Sequence, residues 1–333
     1  MNDFFKHILT VFVVVLTLSS CNKAVSDEFV SYNNNQLNDT IWASNGYNTS
    51  LLNKSIFPET TRNATLIDSF DCQVEGKLSF GDSILVSIPA NSCVYANGSP
   101  ITTNRSIIKA EITILKKKGD FVKYATPTTN VFTLLEASNY CNIRLTKDGK
   151  EVSIAPNNQV KIKIKDTSAS GNMKFFAGNA IKYFKDSLFV WSPSNDGKVD
   201  IWKDNSSIGK TLGYEYTTNR IKWFGCANYI DSNSSKSKLN VILSPNFTNK
   251  NTTVFAVLKN SKTVVNLLSN SENRTFFTYN IPVNTEFTLV AVAKINDDYY
   301  LDSRFIKNAN ANPISLSPYK KSLAFIVEFI DKL

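Results

Sequence analysis

The feature that most constrains the fold of this chain is a series of short apolar or alternating segments separated by turn residues. In QVKIKIKD, three β-branched residues alternate with Lys161, Lys163 and Lys165, which is the period of a half-buried β-strand. Asp148-Gly149 is a typical turn dipeptide between two such segments. Regular short strands joined by turns favour a sandwich or a barrel. We therefore expect an all-β fold, with the three lysines on a solvated, edge-protecting face.

Length and composition allow two domains of this kind. The chain has 333 residues, of which 42% are hydrophobic and 20% charged, and this is a globular composition. We expect two β-sandwich-like domains and a short C-terminal helix. The predicted boundaries are 1–20 for an N-terminal targeting segment, 21–60 for a flexible tether, 61–167 for the first sandwich and 168–333 for the second β-rich domain with its helix.

Two segments of the second domain carry local patterns. SLFVWSPSNDGKVDIWKD, with Asp196-Gly197 near its centre, predicts a β-hairpin with aromatic residues on both arms. Near the C-terminus, apolar residues between Leu323 and Leu333 recur at helical spacing. Ser317 is the expected N-cap of this helix, and Pro318 suits its first turn.

The N-terminus is typical of a secretory signal peptide. Lys6 precedes an apolar and threonine-containing run, Ile8 to Leu18, that is too short to cross a hydrocarbon core of roughly 30 Å as a helix. The next residues, Leu-Ser-Ser-Cys, resemble the lipobox of bacterial lipoproteins. The resemblance implies cleavage between Ser20 and Cys21 and acylation of the Cys21 thiol. The alternative is an ordinary signal peptide in which the cysteine is incidental.

The segment after the lipobox predicts a tether. Residues 22–58 are polar and rich in asparagine and serine, a composition that buries too little apolar surface to offset the entropy of ordering. One docked stretch is expected near Ile41-Trp42. Two or more acyl chains hold a protein stably on a membrane. We therefore expect a lipid-anchored protein. Ser26-Asp27-Glu28 resembles the short acidic export signals of Bacteroidota lipoproteins, and this resemblance implies the outer membrane, on its periplasmic or cell-surface face.

Cysteine usage agrees with export. If Cys21 carries lipid, the remaining cysteines form an even set, for which three connectivities exist. A disulfide in the first domain is one expectation, because an oxidising compartment permits it. Buried free thiols are the other, because cysteine packs as a small hydrophobe. The four residues are Cys72, Cys93, Cys141 and Cys226.

Histidine usage limits the chemistry that the mature chain can perform. The one histidine, His7, lies in the segment that is expected to be removed. Without an imidazole, a Ser-His-Asp triad, a Cys-His pair and a His-ligated metal site are all excluded. No catalytic motif, metal site or cofactor-binding loop is recognisable, so we expect neither catalytic residues nor a cofactor.

The net charge of +9 does not by itself point to a nucleic-acid partner. The lysines are dispersed, and an exported destination argues against nucleic acid. Lys116-Lys117-Lys118 follows the strand-like AEITIL and is expected at a hairpin tip. A site for acidic glycans or lipid headgroups on the lysine-rich strand is an alternative to a plain solvated face.

Several spaced motifs resemble a family of Bacteroidota surface lipoproteins that contain a ZU5-like β-sandwich segment. The matching segments are GDSILVSIPANSCVYANG, KKGDFVKYATPTTNVFTLLEAS, NIRLTKDGKEVSI, and Gly213-Tyr214-Glu215 followed by IKWFGCANYID. Asn139-Tyr140-Cys141 stands where that family usually carries a glycine pair. The resemblance spans most of residues 61–333. It implies β-sandwich architecture and an envelope location, and no activity is attached to it.

Two further sets of residues suggest contact with carbohydrate. Three tryptophans in strand-like segments, Trp191, Trp202 and Trp223, indicate either a sugar-stacking platform or cross-strand core pairs. Three Asp-Ser/Thr-aliphatic triplets resemble the motif that Bacteroidota use for O-glycosylation of exported proteins. The acceptors would be Thr40, Ser83 and Ser187.

These observations predict a non-enzymatic binding or scaffold protein at the cell envelope. Its expected partners are the membrane, through the lipid anchor, and an envelope protein or glycan. The alternative is a histidine-free carbohydrate-active surface enzyme, or a glycan-binding accessory of a polysaccharide uptake system.

Overall fold

The structure is a computed structural model that describes eight stretches of the chain. They are residues 39–44, 49–101, 106–130, 133–183, 186–204, 211–230, 235–309 and 313–333. The signal peptide, Ser20, Cys21 and the first part of the predicted tether lie outside the described residues. The described residues from Thr40 to Leu333 belong to one compact unit.

Fourteen strands in the described residues form the first β-sandwich. They are β1 (Thr65–Asp71), β2 (Gly76–Phe80), β3 (Ile84–Ile88), β4 (Cys93–Tyr95), β5 (Ile107–Leu115), β6 (Thr129–Asn130), β7 (Thr133–Lys147), β8 (Lys150–Ile154), β9 (Val160–Lys165), β10 (Lys174–Tyr183), β11 (Asp186–Pro193), β12 (Gly197–Asp204), β13 (Thr211–Thr218) and β14 (Phe224–Tyr229). One sheet has the order β1-β5-β7-β14-β10-β11, with β4, β6 and β8 attached beside it. The facing sheet has the order β12-β13-β9-β3-β2.

Nine further strands in the described residues form the second β-sandwich. They are β15 (Lys236–Leu243), β16 (Thr252–Leu258), β17 (Val264–Asn266), β18 (Leu268–Asn270), β19 (Thr275–Pro282), β20 (Phe287–Ile295), β21 (Asp298–Ile306), β22 (Ile314–Leu316) and β23 (Tyr319–Lys321). The two sheets have the orders β18-β19-β15-β22 and β17-β16-β20-β21-β23. The all-β prediction with a short C-terminal helix is confirmed.

Three short α-helices accompany the strands in the part of the chain that the structure describes. They are α1 (Thr49–Ile56), α2 (Lys118–Lys123) and α3 (Leu323–Asp331). No helix among the described residues is long and apolar enough to cross a membrane.

The core of the first sandwich follows from the alternation seen in the sequence. Ile112 of β5 and Ile143 of β7 contribute from one sheet, and Ile162 of β9 and Tyr216 of β13 from the other. Each is at most 3% exposed. Because side chains on a strand alternate between its two faces, the intervening polar residues point away from this core.

A second core joins the two sandwiches and the helices. Its members include Tyr140 of β7 and Trp191 of β11 from the first sandwich, and Phe255 of β16 and Val290 of β20 from the second. The rings of Tyr140 and Trp191 stack with centroids 3.6 Å apart. Ile326 and Ile330 of α3 pack into the same cluster. The two sandwiches therefore share buried apolar surface.

The break between the sandwiches lies further along the chain than the predicted boundary at 167/168. β10 pairs with β14, β14 with β7, and β13 with β9, so the strands up to Tyr229 complete the first sandwich. The pairing changes between β14 and β15 instead. These ladders join segments that are distant in sequence, and local alternation carries no information about them.

The predicted flexible tether ends earlier than residue 60. Helix α1 lies within it, and both Ile56 and the following Phe57 are fully buried. The Asn53 side chain donates to the Val122 carbonyl of α2. The docked stretch expected nearby is present, because the ring of Trp42 lies 5.1 Å from that of Phe276.

The lysine-rich segments are placed differently from the prediction. β9 pairs with β13 on one side and with β3 on the other, so Lys161, Lys163 and Lys165 do not protect a sheet edge. Lys161 is exposed, and Lys163 Nζ lies 3.4 Å from a carboxylate oxygen of Glu215 on β13. Lys116-Lys117-Lys118 leads into α2 and is not a hairpin tip.

The predicted hairpin around Asp196-Gly197 is wrong. β11 pairs with β10 in one sheet, whereas β12 pairs with β13 in the other. The segment is therefore a corner that carries the chain between the two sheets. A Cβ on Gly197 would lie 2.7 Å from the side chain of Thr218 and 2.8 Å from Phe175, so the corner needs a glycine for close packing.

The C-terminal helix forms where the apolar spacing predicts it, but its cap differs. Ser322, and not Ser317, is the N-cap, and its hydroxyl accepts a hydrogen bond from the Phe325 amide at 3.2 Å. The amide of Ser317 instead donates to Asp302 at 2.6 Å. Pro318 precedes β23 and is not part of the helix.

Candidate functional site

A cleft of about 1290 Å³ opens between the first and second sandwiches. One wall comes from β10 and β11, and the other from β17, β18 and β19. The segment before α1 and the loop that precedes β6 complete its rim. The volume exceeds the roughly 300–1,000 Å³ of typical small-molecule pockets.

The first wall is built by an outer strand of its sheet. Among the described residues β11 is the last strand of its sheet and pairs only with β10. Ser187, Leu188 and Phe189 line the cleft from this strand. Phe189 is fixed from behind, because its ring meets that of Trp191 edge-on at 5.2 Å. The wall is therefore a supported apolar surface with a hydroxyl at one end.

The second wall carries two aromatic residues on β19. Phe277 and Tyr279 are separated by one residue, and their ring centroids are 5.2 Å apart at an angle of 66°. Tyr279 is 59% exposed, and the ammonium of Lys238 lies 5.3 Å from its ring. Two adjacent, partly exposed rings present the kind of apolar face on which the CH face of a sugar packs.

Buried Asn249 fixes the rim on the side of the docked N-terminal segment. Its side chain accepts a hydrogen bond from the Ala43 amide at 2.9 Å and donates to the Ala43 carbonyl at 3.1 Å. It also lies 3.3 Å from the Ser269 hydroxyl on β18. Asn249 is 4% exposed, so water does not compete for the hydrogen bonds by which this one side chain joins both sides of the rim.

Asn266 at the end of β17 contributes an acceptor to the cleft lining. Its side-chain oxygen is buried and has no hydrogen-bond partner among the described residues. A buried carbonyl oxygen without a partner costs about 1–3 kcal/mol.

The lining combines apolar and neutral polar groups and is close to electrically neutral. Lys236 and Glu272 are the charged residues among the described lining residues, and they have opposite signs. The remaining polar groups are hydroxyls and amides of serine, threonine and asparagine. Such a surface suits an uncharged ligand that is rich in hydroxyl groups.

A buried polar network lies in the first sandwich, away from the cleft lining. The Ser138 hydroxyl donates to Asp166 at 2.5 Å, and the Tyr216 hydroxyl lies 2.6 Å from Asn139 Oδ1 and 3.0 Å from Cys226 Sγ. Burial, together with the neighbouring Cys226, raises the pKa of Tyr216 well above its usual value. Burial also raises the pKa of Cys226 to about 12. Both groups are protonated near neutral pH, so neither is an activated nucleophile.

The four cysteines are free and buried in the structure, and none lines the cleft. Cys72 and Cys93 belong to the same buried cluster, and the amide of Asn91, two residues before Cys93, donates to the Cys72 carbonyl at 2.7 Å. Burial, and then the neighbouring Cys72, raises the pKa of the Cys93 thiol to about 12. Cys141 is 0% exposed, and burial raises the pKa of its thiol far above the usual value.

The prediction of a sugar-stacking platform made of three tryptophans is wrong, because Trp191 is fully buried. Its ring meets that of Trp223 edge-on at 6.3 Å, which is the core-pair alternative. Trp202 lies on the other sheet, with the Lys163 ammonium 5.4 Å from its ring. The three rings therefore do not form one surface.

The predicted O-glycosylation acceptors occupy different environments. Thr40 and Ser83 are exposed, and Ser83 lies in the turn between β2 and β3. Ser187 is half-buried in β11 and lines the cleft. Ser20 and Cys21 lie outside the described residues.

The cleft was missed at the level of sequence because its walls are far apart along the chain. Ala43 and Asn249, which meet at the rim, are separated by 206 residues. A partial signal exists in TFFTYN, where Phe277 and Tyr279 alternate with residues of the opposite face. That pattern identifies a strand but does not tell which of its faces borders a cavity.

The described residues contain no group of three or more histidine, cysteine, aspartate or glutamate side chains that could hold a metal ion. The cleft lining consists mainly of neutral polar, aliphatic and aromatic side chains. No protein-family model matches the chain, and no curated protein matches it.

Proposed function

We propose that this protein is a lipid-tethered binding protein of the cell envelope that holds a neutral oligosaccharide in the cleft between its two sandwiches. The observation that carries the proposal is the chemistry of the cleft lining. Hydroxyl and amide groups surround an apolar surface made by Phe189, Phe277 and Tyr279, and the two lining charges have opposite signs. Sugars present both hydroxyl groups and apolar CH faces, so they match both components.

The sequence supports the tether. The lipobox-like Leu-Ser-Ser-Cys ends at Cys21, and the first docked residue with an aromatic contact is Trp42. About 20 residues of chain therefore separate the expected lipid from the folded unit. A chain of that length reaches at most about 70 Å when fully extended, which is long enough to hold a folded unit clear of the lipid headgroups.

The carbohydrate-active enzyme is the second candidate, and the lining argues for binding over hydrolysis. Glycoside hydrolysis usually requires two carboxyl groups on opposite sides of the scissile bond. Among the described lining residues Glu272 is the one carboxylate, and it is exposed. Binding needs no such pair, so the geometry favours it.

A glycan array followed by titration calorimetry tests the ligand. We expect the purified protein to bind neutral oligosaccharides, and Tyr279→Ala to weaken binding about tenfold, since an aromatic contact of about 1.4 kcal/mol corresponds to that factor. Tyr319→Ala is the matched control. Tyr319 is similarly exposed at 55% but lies on β23, outside the cleft lining.

Three outcomes would overturn the binding proposal. The first is an array without neutral ligands, and the second is equal affinity of the Tyr279 and Tyr319 variants. The third is release of reducing ends from a bound oligosaccharide, which would establish the enzyme. Binding of extended peptides alone would indicate instead that the open edges of β11 and β18 recruit a strand.

Partitioning between detergent and aqueous phases tests the tether. The native protein is expected in the detergent phase and a Cys21→Ala variant in the aqueous phase, because the variant cannot carry the acyl chains. Equal partitioning of the two proteins would disprove acylation at Cys21. It would leave the ligand experiment unaffected.

A further inference from the structure

Cys72 and Cys93 are brought together at one end of the first sandwich. Cys72 directly follows β1, and Cys93 is the first residue of β4. The Asn91 amide donates to the Cys72 carbonyl at 2.7 Å, so the turn that leads into β4 is attached to the backbone of Cys72. Both side chains belong to the same apolar cluster, with exposures of 2% and 3%.

The turn directly before Cys93, residues 89–92, is held by hydrogen bonds on both sides. Asn91 has a φ of 55°, the left-handed region that asparagine tolerates better than most residues. The Ser92 hydroxyl donates to the Pro89 carbonyl at 2.6 Å, and the Ala155 amide donates to the Ser92 carbonyl at 2.8 Å. The amide of Cys72 is also bonded, to the Ser106 carbonyl at 3.0 Å. These contacts fix the two cysteines relative to each other.

The other two cysteines are arranged differently. In the ladder between β7 and β14, Cys141 is opposite Phe224 and Cys226 is opposite Asn139, so the two thiols are not a directly facing pair. Cys226 Sγ is instead 3.0 Å from the Tyr216 hydroxyl. Asp71, next to Cys72, is opposite Ile107 of β5, whereas Cys141 is opposite Ile114, about 20 Å further along the same strand. Of the three connectivities that four cysteines allow, the one with a Cys72–Cys93 bond is therefore the one that fits.

We propose that Cys72 and Cys93 form a disulfide in the exported protein, and that Cys141 and Cys226 remain thiols. The oxidant is a disulfide donor of the thiol–disulfide exchange class. Two thiols and one donor disulfide give the Cys72–Cys93 bond and two donor thiols, so two electrons and two protons pass to the donor. The closed loop contains β2 and β3, and it joins the end of β1 to the start of β4.

Burial determines when the bond forms. In the folded protein, burial and then the electrostatic effect of Cys72 raise the pKa of the Cys93 thiol to about 12, so the reactive thiolate is scarce near neutral pH. Exchange is therefore expected during folding, before the sandwich closes. The same burial then shields the finished bond from reductants.

Refolding with mass mapping tests this proposal. A full-length Cys21→Ser chain, which retains four cysteines, is reduced, unfolded and refolded with reduced and oxidised glutathione. It is then unfolded again with iodoacetamide. We expect two alkylated cysteines, Cys141 and Cys226, and one peptide pair linked through Cys72 and Cys93. Without oxidised glutathione, all four cysteines are alkylated.

Variants and stability provide the second measurement. Cys141→Ser is expected to retain the linked pair, and Cys93→Ser to lose it. The oxidised Cys21→Ser chain is expected to melt about 5–10 °C above its reduced form, since a disulfide of this loop length constrains the unfolded chain. Four alkylated cysteines after oxidative refolding, or a link that includes Cys141 or Cys226, would overturn the assignment. Either result is independent of the ligand and of the lipid.

Discussion

At the scale of single residues, the Lys123 side chain of α2 forms an ionic contact with α3, a helix that is far away in sequence. Its ammonium lies 2.6 Å from Asp331 of α3 and 3.9 Å from Asp120 of α2, and its side chain is 2% exposed. Asp331→Asn leaves this buried charge with a single, more distant carboxylate. We expect a loss of about 2 kcal/mol in the free energy of unfolding, below the full cost of breaking a buried pair because Asp331 is 39% exposed.

Urea unfolding measures that loss, and Glu328→Gln is its control. Glu328 pairs with Lys332 on the same helix, but both side chains are exposed, at 66% and 72%. This exposed pair is expected to make no measurable contribution to the free energy of unfolding. Equal losses in the free energy of unfolding for the two substitutions would mean that the burial of Lys123 does not strengthen its dependence on Asp331.

A second prediction at this scale concerns the thiol of Cys226 at alkaline pH. Burial raises its pKa from about 9 in the unfolded chain to about 12 in the folded protein. Between these values the unfolded state binds fewer protons, so the stabilising contribution is complete below pH 9 and is lost as the pH rises towards 12. The loss is about 1.4 kcal/mol per pH unit.

Urea titrations at pH 8, 9, 10 and 11 under reducing conditions measure this dependence. Buried Tyr140 and Tyr216 titrate in the same direction and are themselves influenced by Cys226, so the comparison with Cys226→Ala measures the thiol together with its effect on these two tyrosines. The wild type is expected to lose stability more steeply than this variant above pH 9. The same dependence of the free energy of unfolding on pH in the two proteins would contradict the raised pKa of Cys226.

At the scale of elements, the contact between α2 and α3 depends on a glycine. A Cβ placed on Gly119 would collide with the carbonyl oxygen of Ile330, which is backbone and cannot rotate away. Gly119→Ala is therefore expected to lower the free energy of unfolding by about 1–3 kcal/mol through overpacking. Gly171→Ala is the control, since nothing lies within 4 Å of its ideal Cβ. Similar denaturant midpoints for the two variants would contradict this account.

The elements that the sequence predicts correctly are those with local causes. Asp148-Gly149 forms the two-residue turn between β7 and β8, and both residues have positive φ, as the turn dipeptide indicates. The C-terminal helix follows its apolar spacing. The cap was misassigned because Ser317 and Ser322 both precede the apolar run, and propensity alone does not distinguish them.

The elements that were predicted incorrectly depend on pairing across long stretches of chain. The alternation in QVKIKIKD identifies β9 but not its two neighbours, so it does not distinguish a central strand from an edge strand. The corner at Asp196-Gly197 has the composition of a hairpin, and only the sheets that flank it show otherwise. The cleft is subject to the same limit, because its walls meet only through such pairings.

At the scale of the whole molecule, the shared core predicts one cooperative unfolding transition. Tyr140 and Trp191 of the first sandwich belong to the same buried cluster as Phe255 and Val290 of the second. Separating the sandwiches would expose this apolar surface, which costs about 25 cal/mol per Å². Neither sandwich is therefore expected to remain folded while the other unfolds.

Scanning calorimetry of wild type and Phe255→Ala tests this coupling. Phe255 is fully buried, so the substitution is expected to cost about 3–5 kcal/mol. In a molecule of this size that cost corresponds to a decrease of about 5–15 °C in Tm. The whole transition should move as a single peak, with equal calorimetric and van't Hoff enthalpies. Two peaks, of which only one shifts, would show that the sandwiches unfold independently despite their common core.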